Sequence, residues 1–200
     1  LIALAMTLAH GDPLRPATGD IELLAERETA YQFLQVHKSQ VEGQPARTTL
    51  VINEALDSFH SLAIEGSAFT QNAYYDWHAI APLLAGEGGQ RPKETRALSI
   101  GDAAGTLRRV YAAVHPNVKV DAVDIDAETM ALGDAFFGED KADGSRYAID
   151  GRLFLSKAKQ KWHVIHVDAY AHQVYIPAHL ASKEFFQAAY NRLHVGGVLA

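Results

Sequence analysis

Residues 97–126, ALSIGDAAGTLRRVYAAVHPNVKVDAVDID, decide the fold of this 200-residue chain. An apolar run leads into a turn between Gly101 and Gly105, a helical segment follows, and a valine-rich strand ends at Asp124. Glycine lets the backbone pass close to a ligand where a strand turns into a helix. An acid about 20 residues beyond such a turn is placed to meet ribose hydroxyl groups. The stretch therefore predicts a nucleoside-binding fold.

Strands and helices alternate in the sequence beyond residue 96. In chain order, the predicted elements are 97–101, 104–114, 118–124, 127–137, 146–150, 151–158, 162–168, 181–193 and 196–200. This alternation is typical of an α/β fold with a parallel sheet and right-handed crossover connections.

Acidic residues stand at three successive strand ends, namely Asp124, Asp150 and Asp168. Because the carboxyl ends of parallel strands meet at one edge of a sheet, we expect the three acids to share a pocket with Gly101. Asp126 precedes a helical segment and is a good N-cap residue. We therefore assign Asp126 to capping and Asp124 to the ligand.

The part before residue 86 has a different pattern. Residues 20–65 contain four short runs rich in β-branched or aromatic residues, which predict β structure. Residues 71–84 follow as a predicted helix, and the glycine-containing loop 86–92 is a boundary signal. We therefore divide the chain into an N-terminal tail (1–19), a small β domain with its connecting helix (20–85) and a Rossmann-like nucleoside-binding domain (93–200).

The sequence at each end of the chain allows a prediction. Two interpretations of the apolar N-terminal run stay open. It could be the end of an upstream hydrophobic helix, which would tether the protein to the inner face of a membrane, or an ordinary core helix. At the other end, residues 195–200 look like the opening of a strand. We therefore expect the chain to be truncated on its C-terminal side.

Composition narrows the class of protein. Hydrophobic residues make up 48% of the chain, enough for a sizeable core, and the formal net charge is −6. Since no basic patch stands out, nucleic acid is not expected as a partner. The absence of cysteine excludes disulfides, thiolate metal sites and cysteine nucleophiles, and it favours a cytoplasmic location.

The ten histidines form no metal-binding motif in the sequence. His163 and His166 are three residues apart on a predicted strand and so face opposite sides, and His172 and His179 share a loop without a clear carboxylate partner. No H-E-x-x-H, G-x-S-x-G or Walker pattern occurs, which argues against zinc proteases, serine hydrolases and P-loop enzymes. We expect surface and packing histidines, and no metal.

The order of these parts resembles the spermidine synthase (polyamine aminopropyltransferase) family, in particular its bacterial, fused spermidine synthase-like type. The resemblance covers nearly the whole chain from about residue 20. It is carried by the segments 26–36, 72–78 with Pro82, 100–107, 123–126, 150–152, 168–170, 176–180 and 183–186. It implies an α/β fold with a Rossmann-like parallel sheet, similar to that of S-adenosylmethionine-dependent methyltransferases, and a small N-terminal β domain.

The resemblance implies transfer of an aminopropyl group from decarboxylated S-adenosylmethionine to an amine, with no permanently bound cofactor. Gly101 and Gly105 would form the nucleoside turn, Asp124 would hold the ribose and Asp150 the adenine amino group. Asp168 would be the general base that takes a proton from the attacking amine. A small-molecule amine is thus the expected partner, and the resemblance also implies a homodimer through the N-terminal β part.

On the amine side, the resemblance assigns Tyr74, Asp76 and Tyr170 to the substrate. Two carboxylates of the family pattern are missing, because Ala171 stands three residues after the expected base and Ala103 and Ala104 stand in the glycine turn. Two alternatives therefore remain open. One is an S-adenosylmethionine-dependent methyltransferase, and the other is a non-catalytic nucleoside-binding or interaction domain.

Overall fold

The structure, a computed structural model, describes residues 13–15, 19–53, 60–86, 93–170 and 175–200. The strands in these ranges are β1 (Ile21–Glu28), β2 (Phe33–Ser39), β3 (Arg47–Ile52), β4 (Ser61–Ile64), β5 (Thr95–Ile100), β6 (Val118–Asp124), β7 (Arg146–Ala148), β8 (Trp162–Val167) and β9 (Leu193–Leu199). The helices are α1 (Tyr74–His78), α2 (Ala81–Leu84), α3 (Thr106–Val114), α4 (Ala127–Phe136), α5 (Gly151–Lys157) and α6 (Lys183–Arg192).

The first four strands form an antiparallel sheet in the order β1-β2-β3-β4, which confirms the β structure predicted for residues 20–65. Alternate residues point to one face, and Leu34 pairs with Ile52 while Val36 pairs with Leu50. These four side chains are buried and pack with α4 in one apolar cluster. This packing holds the small sheet against α4.

The other five strands form a parallel sheet in the order β7-β6-β5-β8-β9, as the strand–helix alternation predicted. One face packs on α3 around Val110 and Tyr111, and the other packs on α5 and α6 around Phe154 and Phe185. The chain runs outward from β5 to β7 and then returns to β8 on the opposite side of β5. Ligands of such sheets bind at this reversal, outside the carboxyl ends of the strands.

A buried carboxylate, Asp121 of β6, ties strands of this sheet together. It accepts hydrogen bonds from Arg96 Nε at 2.6 Å, from the Ser145 amide at 3.0 Å and from Trp162 Nε1 at 2.8 Å. Burial alone would raise the pKa of Asp121, but these donors outweigh it and the pKa is lowered. The ionised form is therefore part of the folded sheet.

The helix predicted over 71–84 is wrong in its extent, because the chain forms two short helices, α1 and α2. Gln71 and Asn72 have positive φ values of 56° and 73°, so α1 starts only at Tyr74. Pro82 lies in the first turn of α2 and has no N–H to donate to the carbonyl of His78, four residues earlier. A continuous helix is therefore interrupted between α1 and α2.

Other predicted bounds differ by smaller amounts. The strand predicted over 146–150 ends at Ala148, and Asp150 instead caps α5. Most of the predicted tail and all but the first residue of the predicted boundary loop 86–92 lie outside the described residues. Among the described residues, no helix combines the length and apolar character needed to span a membrane.

Candidate active site

A cavity of about 440 Å³ opens where the order of the parallel sheet reverses. Its lining contains four of the residues predicted to meet at this edge, namely Gly101, Asp124, Asp150 and Asp168. The loops after β5, β6 and β8 and the start of α5 thus converge on one space. Residues of the N-terminal sheet, of its loops and of α1 also line this space.

Gly101 allows the ends of β5 and β8 to approach each other. Its φ of 85° lies in the left-handed region, and a Cβ built on it would stand 2.2 Å from the backbone oxygen of Asp168. The Gly101 amide donates to the Val123 carbonyl at 2.8 Å, and the Asp168 amide donates to the Ile100 carbonyl at 2.8 Å. Gly105 is the N-cap of α3 and does not line the cavity.

Asp124 presents a fixed carboxylate at the end of β6. Its Oδ2 accepts from the Ala103 amide at 2.8 Å, and its Oδ1 accepts from the Asp126 amide at 2.9 Å. Burial raises the pKa of Asp124 despite these two donors. Each oxygen still has a lone pair for a ligand hydroxyl group. Asp126 caps α4 by accepting from the Glu128 amide at 3.1 Å, as predicted.

Asp150 has a partner that the sequence did not reveal. Its Oδ1 accepts from the Leu153 amide at 2.8 Å as the N-cap of α5, and its Oδ2 contacts His179 Nε2 at 2.7 Å. The prediction that His179 has no carboxylate partner is therefore wrong. The two residues are 29 positions apart, and no local spacing signals their contact. His172 lies outside the described residues.

Asp168 is half-buried beside a tyrosine hydroxyl. Tyr74 donates to Asp168 Oδ2 at 2.7 Å. Desolvation raises the pKa of Asp168, while the Tyr74 hydrogen bond and the nearby His78 and His60 oppose the rise. Desolvation also raises the pKa of Tyr74, with Tyr75 and Asp168 adding to the effect, so the phenol remains a donor. The pair is a carboxylate of raised basicity with a fixed hydrogen-bond donor.

The other residues predicted to contact the substrate lie in different surroundings. Tyr170 lines the cavity with a half-exposed side chain. Asp76 does not line it, because its carboxylate points back to the preceding loop and accepts from Thr70 and Asn72. Ala171 lies outside the described residues.

Asp102 lies in the glycine turn but does not line the cavity. Its carboxylate is fully buried, and neither oxygen has a hydrogen-bond partner among the described residues. Burial raises the pKa of Asp102 to about 7, with Arg108 and Arg146 opposing the rise. It therefore does not replace the acid that the family pattern places in this turn.

The N-terminal half of the chain contributes cavity residues that the sequence did not predict. Gln32, Ile52 and His60 of the small sheet and its loops line it, as does His78 of α1. Their positions depend on how the two sheets pack, which no local pattern reveals. In the described part of the chain, no cluster of three or more His, Cys, Asp or Glu side chains is arranged to hold a metal ion.

Comparison with known proteins adds independent information, although no protein-family model matches the chain. A probable polyamine aminopropyl transferase from Bifidobacterium longum is 32% identical over 188 residues. The aligned region covers 92% of this chain and 39% of that relative, so the chain spans about two fifths of the relative's length.

Two solved structures share the fold. A probable spermidine synthase from Corynebacterium glutamicum matches with a TM-score of 0.70 at 19% identity, covering 92% of this chain and 63% of that chain. A spermidine synthase in complex with the transition state analogue AdoDATO matches with a TM-score of 0.63 at 18% identity, covering 88% and 56%. The sequence similarity to the Bifidobacterium relative and the fold shared with the two solved structures together support the spermidine synthase (polyamine aminopropyltransferase) family for this chain.

Proposed function

We propose that the chain is an aminopropyltransferase that moves an aminopropyl group from decarboxylated S-adenosylmethionine to a small amine. The observation that carries the proposal is the cavity in which Asp124 and Asp150 face Asp168 and its donor Tyr74. The named activity of the Bifidobacterium relative supports the reaction class. The AdoDATO complex of the structurally similar spermidine synthase supports an adenosyl ligand.

The chemistry is a displacement at carbon. Asp168 takes a proton from the ammonium group of the acceptor, and the freed nitrogen lone pair attacks the methylene carbon beside the sulfonium. The new C–N bond forms as the C–S bond breaks, and the bonding electron pair returns to sulfur as a neutral thioether. A positioned carboxylate of raised pKa is suited to this proton transfer.

The two other carboxylates suit the nucleoside. Asp124 is fixed by two backbone amides and would accept from the ribose hydroxyl groups. Asp150, fixed as the cap of α5, would accept from the adenine amino group beside His179. Three acidic side chains in one cavity also favour a cationic ligand over one that carries an extra carboxylate.

That preference gives a binding prediction. Decarboxylated S-adenosylmethionine is expected to bind at least about tenfold more tightly than S-adenosylmethionine, because the carboxylate of the latter faces acidic side chains. Isothermal titration calorimetry with both ligands measures the ratio of the two affinities. The reference ligand is 5′-methylthioadenosine, which has neither the sulfonium charge nor the aliphatic amino group. Equal or reversed affinity would favour the methyltransferase alternative, and absence of nucleoside binding would favour an interaction domain.

A second prediction concerns Tyr74. Tyr74→Phe removes a donor to the ionised form of Asp168, so the pKa of that carboxyl rises further. Since only the ionised form accepts a proton, the acidic limb of the pH profile of kcat/KM should move upward by about one pH unit. Tyr190→Phe, on the exposed side of α6, is the matched control and should leave the profile in place. An unmoved limb in Tyr74→Phe contradicts the role of the hydrogen bond.

A further inference from the structure

A chain of polar side chains runs from the cavity into the apolar core. His78 lines the cavity, and its Nδ1 lies 2.9 Å from Nδ1 of His166. The other nitrogen of His166, Nε2, lies 2.5 Å from the hydroxyl oxygen of Tyr111. His166 and Tyr111 are completely buried. Burial lowers the pKa of His166 to about 3, with His78 adding to the effect, so this ring stays neutral.

The contacts allow two proton arrangements. In the first, Tyr111 donates to His166 Nε2, His166 Nδ1–H donates to His78 Nδ1, and His78 carries its proton on Nε2. In the second, His78 Nδ1–H donates to His166 Nδ1, and His166 Nε2–H donates to the Tyr111 oxygen. Tyr111 then needs another acceptor, and the His78 carbonyl lies 3.4 Å from its hydroxyl.

The break between α1 and α2 supplies that acceptor. In a continuous helix the carbonyl of His78 would accept from the amide of residue 82, but Pro82 has no N–H. The carbonyl is therefore open to Tyr111. In the second arrangement His78 can take a proton from solvent on Nε2 and become a cation while every buried N–H and O–H keeps an acceptor.

His78 lines the cavity, and only one of its two ring nitrogens is held by a neighbour in the described part of the chain. Among the described residues, Nε2 of His78 has no hydrogen-bond partner, whereas Nδ1 is held by His166. The ionisable groups around the ring are Tyr74 on its own helix, His166 on β8, Asp168 after β8, Tyr111 on α3 and His60 before β4. His115 follows α3 and packs on the Tyr111 ring. Of these, Asp168 is the acidic group that a cation on His78 would stabilise.

We infer that His78 is a second acid–base group of the cavity and that the charge of His78 sets the ionised fraction of Asp168. His166 and Tyr111 position His78 and hold its proton arrangement. The consequence for catalysis rests on the proposed function. A cationic His78 keeps Asp168 ionised but repels a cationic amine, whereas a neutral His78 admits the amine. The acceptor's KM should therefore depend on pH.

The test is a ¹³C NMR titration of the Asp168 carboxyl group. His78→Gln removes the cation, so the titration midpoint of Asp168 should rise by about half a pH unit or more, which is about threefold in proton affinity. Tyr111→Phe should raise it as well, because it removes the acceptor for His166 Nε2–H and disfavours the arrangement that admits the cation. The double variant should rise no further than His78→Gln, since Tyr111 acts through His78.

His194→Gln, an exposed histidine at the start of β9, is the matched control and should leave the midpoint unchanged. An unchanged midpoint in His78→Gln, or additive effects in the double variant, would overturn the inference. If His78→Gln or Tyr111→Phe does not fold, long-range ¹H–¹⁵N correlations in the unaltered protein test the inference instead, because they report which histidine nitrogens carry a proton. The inference requires one hydrogen-bonded proton between the two Nδ1 atoms and a neutral His166, and a charged His166 contradicts it.

These readouts are titrations and do not depend on turnover. If the titrations behave as expected while decarboxylated S-adenosylmethionine is not consumed, the proposed function fails and the coupling of His78 to Asp168 stands. If transfer occurs but His78→Gln leaves the titration midpoint of Asp168 unchanged, the coupling of His78 to Asp168 fails and the proposed function stands.

Discussion

Asp168→Asn is expected to lower kcat for aminopropyl transfer by about 10²- to 10⁴-fold. The amide has nearly the same shape as the carboxylate and can still accept from Tyr74, but it cannot take a proton from the amine. Asp124 and Asp150 remain in place, so nucleoside affinity should change by less than about threefold. Steady-state kinetics and calorimetry on the same preparation separate the two effects.

The matched control is Asp143→Asn, the same chemical change at an exposed residue that pairs with Lys119 at 3.5 Å on the surface. It should leave both kcat and affinity unchanged. Undiminished turnover in Asp168→Asn would remove this residue from the role of base. An equal loss of turnover and affinity would make it a binding residue instead.

Gly101→Ala is expected to destabilise the fold by about 2–5 kcal/mol. The left-handed backbone penalises any Cβ by about 1–2 kcal/mol, and crowding in a packed site adds about 1–3 kcal/mol. The crowding is direct, because the new Cβ would lie 2.2 Å from the Asp168 carbonyl oxygen and 2.8 Å from the Ala169 Cα. Chemical denaturation measures the loss, and nucleoside binding should fall with it.

Gly138→Ala separates strain from crowding. Gly138 has nearly the same backbone angle, a φ of 81° against 85° for Gly101, and nothing lies within 4 Å of its added Cβ. Gly138→Ala should therefore lower the free energy of unfolding only by the cost of the strained backbone, about 1–2 kcal/mol. Equal losses in the two variants would mean that the approach of Asp168 to the glycine turn is not a close-packed contact.

The sequence predicts the parts of the fold that depend on local pattern. Gly101 and the acids Asp124, Asp150 and Asp168 follow strands whose apolar runs are readable, and the carboxyl ends of parallel strands must meet at one edge. Their meeting in one cavity was therefore predictable from the order of elements. The cap at Asp126 was predictable for a similar reason, because capping is a local interaction.

Contacts between distant segments were not predictable in this way. His78 and His166 are 88 positions apart, and their contact depends on how α1 packs against β8. The pairing of Asp150 with His179 depends on the path of the chain between β8 and α6. The break at Pro82 carried a local signal, a proline inside the predicted helix, which the periodicity of apolar residues outweighed in the prediction.

Product formation from decarboxylated S-adenosylmethionine is the decisive measurement for the proposed aminopropyl transfer. The chain is incubated with this nucleoside and a panel of small amines, and 5′-methylthioadenosine and the aminopropylated amine are quantified by mass spectrometry. We expect both products in equal amounts, with at least one amine, and none with S-adenosylmethionine in its place. A methylated product from S-adenosylmethionine, or no consumption of the decarboxylated nucleoside with any amine, would contradict the proposed function.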